Sequence, residues 1–196
     1  AIAHSSGCPE ADCRPVPGRP TASDQPQGWH LSLSHSKQLS ACAVGAQPGL
    51  GLDIEPLDRH PQWQKVVRRW FTPAEQDWLL ANDCQQDFLR VWTLKEAWLK
   101  ATGRGIAGNL QTLQVGPDFR LQGDRDETGW QAASGIIAGF LVTLVYHHER
   151  WVLPQGHLLG EIPPSLALDS PWPASDRLTL SWHQAVSPAT DHHKEA

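Results

Sequence analysis

A chain of 196 residues, 40 % hydrophobic and 19 % charged, holds enough apolar material for one globular domain with a sizeable core. Its formal net charge of −5 argues against a general nucleic-acid binder, which presents a basic surface, and no run of about 18 apolar residues offers a membrane span. The four cysteines form no disulfide framework, so a cytoplasmic protein away from the membrane is expected.

Proline marks the two ends: five of the 16 lie in residues 1–26 and six lie from Pro154 onward. Both ends are also rich in Ser, Gly and Asp. Residues 1–27 are therefore predicted to be a flexible flank, 28–150 the ordered domain, and 151–196 an irregular Pro-rich tail. In "WHLSLSHS" (29–36), Trp29, Leu31 and Leu33 alternate with polar residues, which predicts a half-buried strand with those three on its inner side. "SACAVG" (40–45) suits a hairpin partner. "LGLDIE" (50–55) alternates again, sending Leu50, Leu52 and Ile54 one way and Gly51, Asp53 and Glu55 the other. "TPAE" (72–75) is a capping box with Pro73 at the first helical position, opening a helix that carries Trp78 and Leu79. A second helix runs from near Gln85 to Gly103, a suitable left-handed C-terminal stop. "TLQV" (112–115), "WQAAS" (130–134) and "IIAGFLVTLVY" (136–146) read as strands, and the whole as an α+β domain, an antiparallel sheet packed with helices.

One helical position breaks its own pattern. At about 100° per residue, Phe88, Leu89, Trp92 and Leu99 share a stripe, and Glu96 falls inside it with Lys100 one turn on. A carboxylate there needs a partner, because an unpaired buried charge costs several kcal/mol. Lys100 could be that partner through a local ion pair. Asp53 and Glu55 leave one face of their strand together and repel unless a cation or a proton intervenes; a wet outer face on an edge strand would equally explain them. Three carboxylates with no His or Cys in the set suit a hard, oxygen-seeking ion such as Mg²⁺, which takes ligand phosphates to complete its shell. Lys95, Lys100, Arg104 and Arg19 are the cations available to such phosphates, and Ser34 and His35 the polar groups, although "SLSHS" also reads as a plain polar strand end. His4, Cys8 and Cys13 lie close enough in sequence for a zinc-binding alternative.

In order, "SHS" (34–36), "GLDIE" (51–55), "RRWFTPAE" (68–75) and "WTLKEAWLK" (92–100) resemble the signature of the 4′-phosphopantetheinyl transferases. With Ser-His-Ser ahead of "GLDIE", the order is that of the longer monomeric type built from two pseudo-symmetric halves. The resemblance implies that fold over 28–150, with the N-terminal half largely missing. It implies Mg²⁺ held by Asp53, Glu55 and Glu96, and Lys100 against coenzyme A phosphate. Ser34 and His35 would stand near the nucleotide end of coenzyme A. Arg19 of "GRP" would take the family's basic position, and Lys95 joins the coenzyme A contacts. The implied activity is transfer of 4′-phosphopantetheine from coenzyme A to a serine of an apo acyl or peptidyl carrier protein, releasing adenosine 3′,5′-bisphosphate, with Glu96 and Lys100 as the catalytic pair. The implied molecule is a monomer. Core packing is the default for the tryptophans; Trp63 and Trp78 could instead flank a groove for the carrier, beside Lys65, Arg68 and Arg69, which equally read as an ordinary solvated helix face. The other reading is a non-catalytic remnant that only binds coenzyme A or a carrier protein.

Overall fold

The computed structural model describes residues 2–17, 19–37, 39–59, 62–105, 110–122, 129–137 and 139–148, with the short strands 156–157, 177–178 and 182–185. In chain order the elements are helix α1 (Ile2–Ser6), strands β1 (Arg14–Val16), β2 (Arg19–Gln25), β3 (His30–Ser36), β4 (Leu39–Gly45) and β5 (Leu50–Pro56), and helices α2 (Trp63–Trp70), α3 (Pro73–Asn82) and α4 (Gln85–Ala101). Strands β6 (Gln114–Val115), β7 (Leu121–Gln122), β8 (Trp130–Ile137), β9 (Phe140–His147), β10 (Gly156–His157), β11 (Arg177–Leu178) and β12 (Trp182–Ala185) follow. All strand pairing among the described residues is antiparallel: one sheet runs β1-β2-β3-β4, another β12-β8-β9-β5, and β6-β7 and β10-β11 are two-stranded. The α+β expectation holds.

Strand β5 is the hub. It pairs with β9 in the register Asp53↔Thr143 and Glu55↔Leu141, which leaves its other edge open. An open edge carries unpaired amides, and β3 closes this one with side chains: Ser32 Oγ accepts from the Leu52 amide (2.8 Å) and Ser34 Oγ from the Ile54 amide (3.3 Å). Hydroxyls at i and i+2 on β3 match outward amides at i and i+2 on β5, because both strands have a period of two. This inverts the predicted polarity of β3. Ser32 and Ser34 are buried, while Leu33 is 59 % exposed. The apolar alternation is real, but the edge amides claimed the serine face.

The two faces of β5 meet different partners. Leu52 and Ile54 form a small core with Val142, against which Leu39, Ala41 and Ala43 of β4 pack. The opposite face lies under α4, and the larger core of Val67, Phe71, Leu79, Phe88, Leu89, Leu94, Trp98 and Leu99 gathers the helices with Val115, Leu121 and Val145. The wet-edge reading of Asp53 and Glu55 therefore fails, since both are buried.

Helix α3 opens as predicted: Thr72 Oγ1 accepts from the Glu75 amide (3.3 Å) and the Glu75 side chain accepts from the Thr72 amide (2.9 Å). Helix α4 also keeps its expected bounds, with Gly103 at φ 66° just beyond its end. Elsewhere the elements differ. The strand expected over 136–146 is the junction of two, β8 and β9, joined through a turn at Gly139 (φ 75°). The strand expected over 112–115 is a 3₁₀ turn, Leu110–Thr112, followed by the two-residue β6. The flank expected to be flexible carries β1 and β2, tied to β3 where the Ser23 amide donates to Trp29 O (2.8 Å). The tail expected to be irregular contributes β12, paired with β8 from Trp182↔Ser134 to Ala185↔Gln131.

Candidate active site

The site forms where α4 crosses β5, and Gly51 sets the distance. A Cβ at Gly51 would lie 1.9 Å from Ala97 O and 2.5 Å from the Ala101 amide nitrogen, so the helix backbone rests directly on the strand. That approach brings Glu96 and Lys100 over Asp53 and Glu55, whose side chains leave β5 on the same face as Gly51.

Each strand carboxylate is held at one oxygen. Asp53 Oδ1 accepts from Ser34 Oγ (3.0 Å) and from Lys100 Nζ (2.8 Å), and Lys100 donates also to Leu52 O (3.0 Å) and to Ser34 Oγ (3.2 Å). Glu55 Oε1 accepts from the Arg59 guanidinium and from the Trp92 indole N–H (3.2 Å). The second oxygens, Asp53 Oδ2 and Glu55 Oε2, are buried and have no hydrogen-bond partner among the described residues. Glu96 completes the group. Burial first, then the charge of Asp53, push its carboxyl up to about 7; Glu55 adds to this, while Lys100 and Arg59 oppose it. Asp53 is also raised, chiefly by burial, against the pull of Lys100 and Ser34.

Among the described residues no three His, Cys, Asp or Glu side chains are drawn together tightly enough to enclose a metal ion as they stand. The donor set nevertheless fits a hard divalent cation. Two buried carboxylate oxygens lack partners, a third carboxylate stands in their field, and only oxygen is offered.

Lys95 is corrected. Its ammonium is fully buried away from this group, donating to Glu75 Oε2 (2.6 Å) and Leu110 O (2.7 Å) over the Phe71 ring (4.6 Å), and so is out of reach of a coenzyme A phosphate. Burial lowers its pKa, and Glu75 opposes that shift. The local Lys100–Glu96 ion pair is replaced by Lys100–Asp53. Ser34 faces inward and is engaged on all sides, whereas His35 lies on the outer, exposed face of β3. Arg19 has its backbone in β2, and its side chain lies outside the described residues. Arg104 follows α4, donating to Thr102 Oγ1 (3.2 Å). Cys8 and Cys13 are free thiols, and the His4 side chain lies outside the described residues. Trp63 is a core residue stacked on Phe88 rather than a groove wall, while Lys65, Arg68 and Arg69 are exposed on α2. Sequence reading missed Trp92 and Arg59 as partners of Glu55. Arg59 at i+4 was visible as a charge, but only the turn after β5 folds it back.

A family model, ACPS, the 4′-phosphopantetheinyl transferase superfamily, matches residues 49–145. The chain is 39 % identical over 103 residues to the 4′-phosphopantetheinyl transferase HetI of Nostoc sp., covering 50 % of this chain and 43 % of that one. It is 33 % identical over 101 residues to the 4′-phosphopantetheinyl transferase Sfp of Bacillus subtilis, with the same two coverages, 50 % and 43 %. The holo-[acyl-carrier-protein] synthase structure of Thermotoga maritima aligns at a TM-score of 0.41 and 24 % identity, over 52 % of this chain and 64 % of that one. The matched stretch spans less than half the length of these curated relatives. Residues 49–145, which include β5, the three helices α2 to α4 and most of β9, match a domain of the phosphopantetheinyl transferase class. The chain belongs to the 4′-phosphopantetheinyl transferase superfamily.

Proposed function

We propose that this chain transfers 4′-phosphopantetheine from coenzyme A to a serine hydroxyl of an apo acyl or peptidyl carrier protein. The observation that carries the reading is the junction of β5 and α4. There Asp53, Glu55, Glu96 and Lys100 meet inside the segment matched by the family model. Asp53, Glu55 and Glu96 would hold Mg²⁺, which when bound supplies Lewis-acid charge to the coenzyme A pyrophosphate. Lys100 presents an ammonium to the phosphates; its side chain is 28 % exposed, so it can turn from Asp53 toward a ligand. The carrier serine oxygen forms a bond to the β-phosphorus, and the bond from that phosphorus to the bridging oxygen breaks. Adenosine 3′,5′-bisphosphate departs with the bonding electrons. Glu96, the carboxylate that α4 brings to this junction, would take the serine proton. Positioning and charge stabilisation do most of the work in such a phosphoryl transfer. The reading implies a monomer acting in the cytoplasm, in keeping with four free cysteines.

The test is incubation of the 196-residue chain with coenzyme A, Mg²⁺ and a panel of apo acyl and peptidyl carrier proteins, followed by intact-mass measurement. The expected outcome is a gain of one phosphopantetheinyl group that does not occur when EDTA is present from the start. A panel that stays entirely apo overturns transfer by this chain. Retained coenzyme A binding in that case would favour the non-catalytic binding reading.

A further inference from the structure

We propose that Ser34 and Trp92 are positioning residues that aim Asp53 Oδ2 and Glu55 Oε2 at the divalent cation. The inference rests on the Mg²⁺ reading given above. The terminal torsion of a carboxylate is soft, so a buried Asp or Glu normally turns both oxygens toward donors. Here each carboxylate is caught at a single oxygen by two donors, Ser34 and Lys100 on Asp53 Oδ1, Arg59 and Trp92 on Glu55 Oε1. The remaining oxygen of each stays buried and unpartnered among the described residues. Leaving such an atom unsatisfied costs free energy unless a ligand meets it.

The four donors are not equivalent. Lys100 and Arg59 are long cations whose side chains are 28 % and 43 % exposed, free to swing toward phosphate or solvent. Ser34 and Trp92 cannot swing. The Ser34 hydroxyl is pinned by the Ile54 amide, and the Trp92 indole is stacked 6.4 Å from Phe71 at an interplanar angle of 9° and packed 6.0 Å from Phe88. These two neutral donors therefore keep their grip when the cations move to a substrate. Partners of this kind fix ligand orientation, and their loss typically weakens metal affinity about 10- to 100-fold.

The experiment is a titration of the full chain with Mn²⁺, a hard divalent probe for the same oxygen set, following the free ion by electron paramagnetic resonance without coenzyme A. Ser34→Ala, Ser34→Thr and Trp92→Phe are compared with the parent, each with a thermal melt. Ser34→Ala and Trp92→Phe should weaken Mn²⁺ binding about 10-fold or more, and Ser34→Thr, which keeps the hydroxyl, should bind close to the parent. Variants that melt lower but bind Mn²⁺ as the parent does would make both residues merely structural and overturn the inference. A parent chain that binds no Mn²⁺ overturns the Mg²⁺ reading itself, and this inference with it, so the parent titration separates the two failures. Should Trp92→Phe fail to fold, the Ser34 pair decides.

Discussion

Glu96 shows how much a single side chain depends on its neighbours. Its carboxyl is lifted from 4.5 to about 7 by burial and by two like charges, so the folded state binds the proton more tightly than the unfolded chain does. The associated stability is fully present below the unfolded value and is lost as pH rises through about 7. Glu96→Gln mimics the protonated form. Without divalent cation, this variant should therefore melt above the parent at about pH 8 and close to it at about pH 4. Added Mg²⁺ should raise the parent more at the higher pH, where the proton no longer competes, and should raise Glu96→Gln less. A parent and variant that melt together across this range would mean that Glu96 is not under strain. Lys100 is set by the same neighbourhood, since Asp53 rather than Glu96 is its anionic partner.

At the scale of elements, the site is made by the contact between one strand and one helix, and a residue without a side chain makes it. Gly51 is not needed for an unusual backbone angle; it is needed because Ala97 O and the Ala101 amide occupy the place of a Cβ. Both are backbone atoms of α4, which cannot rotate aside. Gly51→Ala should destabilise the fold by about 1–3 kcal/mol, as overpacking does, and should weaken divalent-cation binding by lifting Glu96 and Lys100 away from β5. Gly45→Ala on β4 is the control, because its nearest neighbour outside adjacent residues is the end of the Leu50 side chain at 3.7 Å. Chemical denaturation of the two variants measures the contrast, and equal losses would refute the steric account.

Across the whole molecule, β5 is clamped between the α4 layer and the β3–β4 hairpin, so Asp53 and Glu55 lie in a seam from which water is mostly excluded. The helical layer carries its own buried charge pair. Glu75 Oε2 accepts from Thr72 and Lys95, and its Oε1 from the Val115 amide (2.7 Å), so one carboxylate joins the start of α3, the middle of α4 and β6. Lys95→Ala leaves that carboxylate buried without its cation and should cost about 3–5 kcal/mol, read as a large fall in melting temperature. Lys95→Met combined with Glu75→Gln should recover part of the loss, since the double change leaves no unpaired charge. If Lys95→Ala melted like the parent and only coenzyme A binding suffered, Lys95 would belong to the substrate site after all.

The capping box of α3, the limits of α4 and the shared face of Asp53 and Glu55 were determined by the sequence alone. They rest on chemistry within a few residues: a Thr and a Glu three apart, a glycine past the last turn, and a period of two along a strand. A carboxylate in the apolar stripe of α4 was legible for the same reason. Only the tertiary structure decided which side of β3 is inside, which of two lysines five positions apart is buried in an ion pair, and what holds Glu55. Periodicity defines the faces of an element but not what packs against each face. Leu33 is outside because edge amides on β5, 20 residues away from Ser32 and Ser34, need their hydroxyls. Lys95 is inside because Glu75, also 20 residues away, waits there with a buried carboxylate.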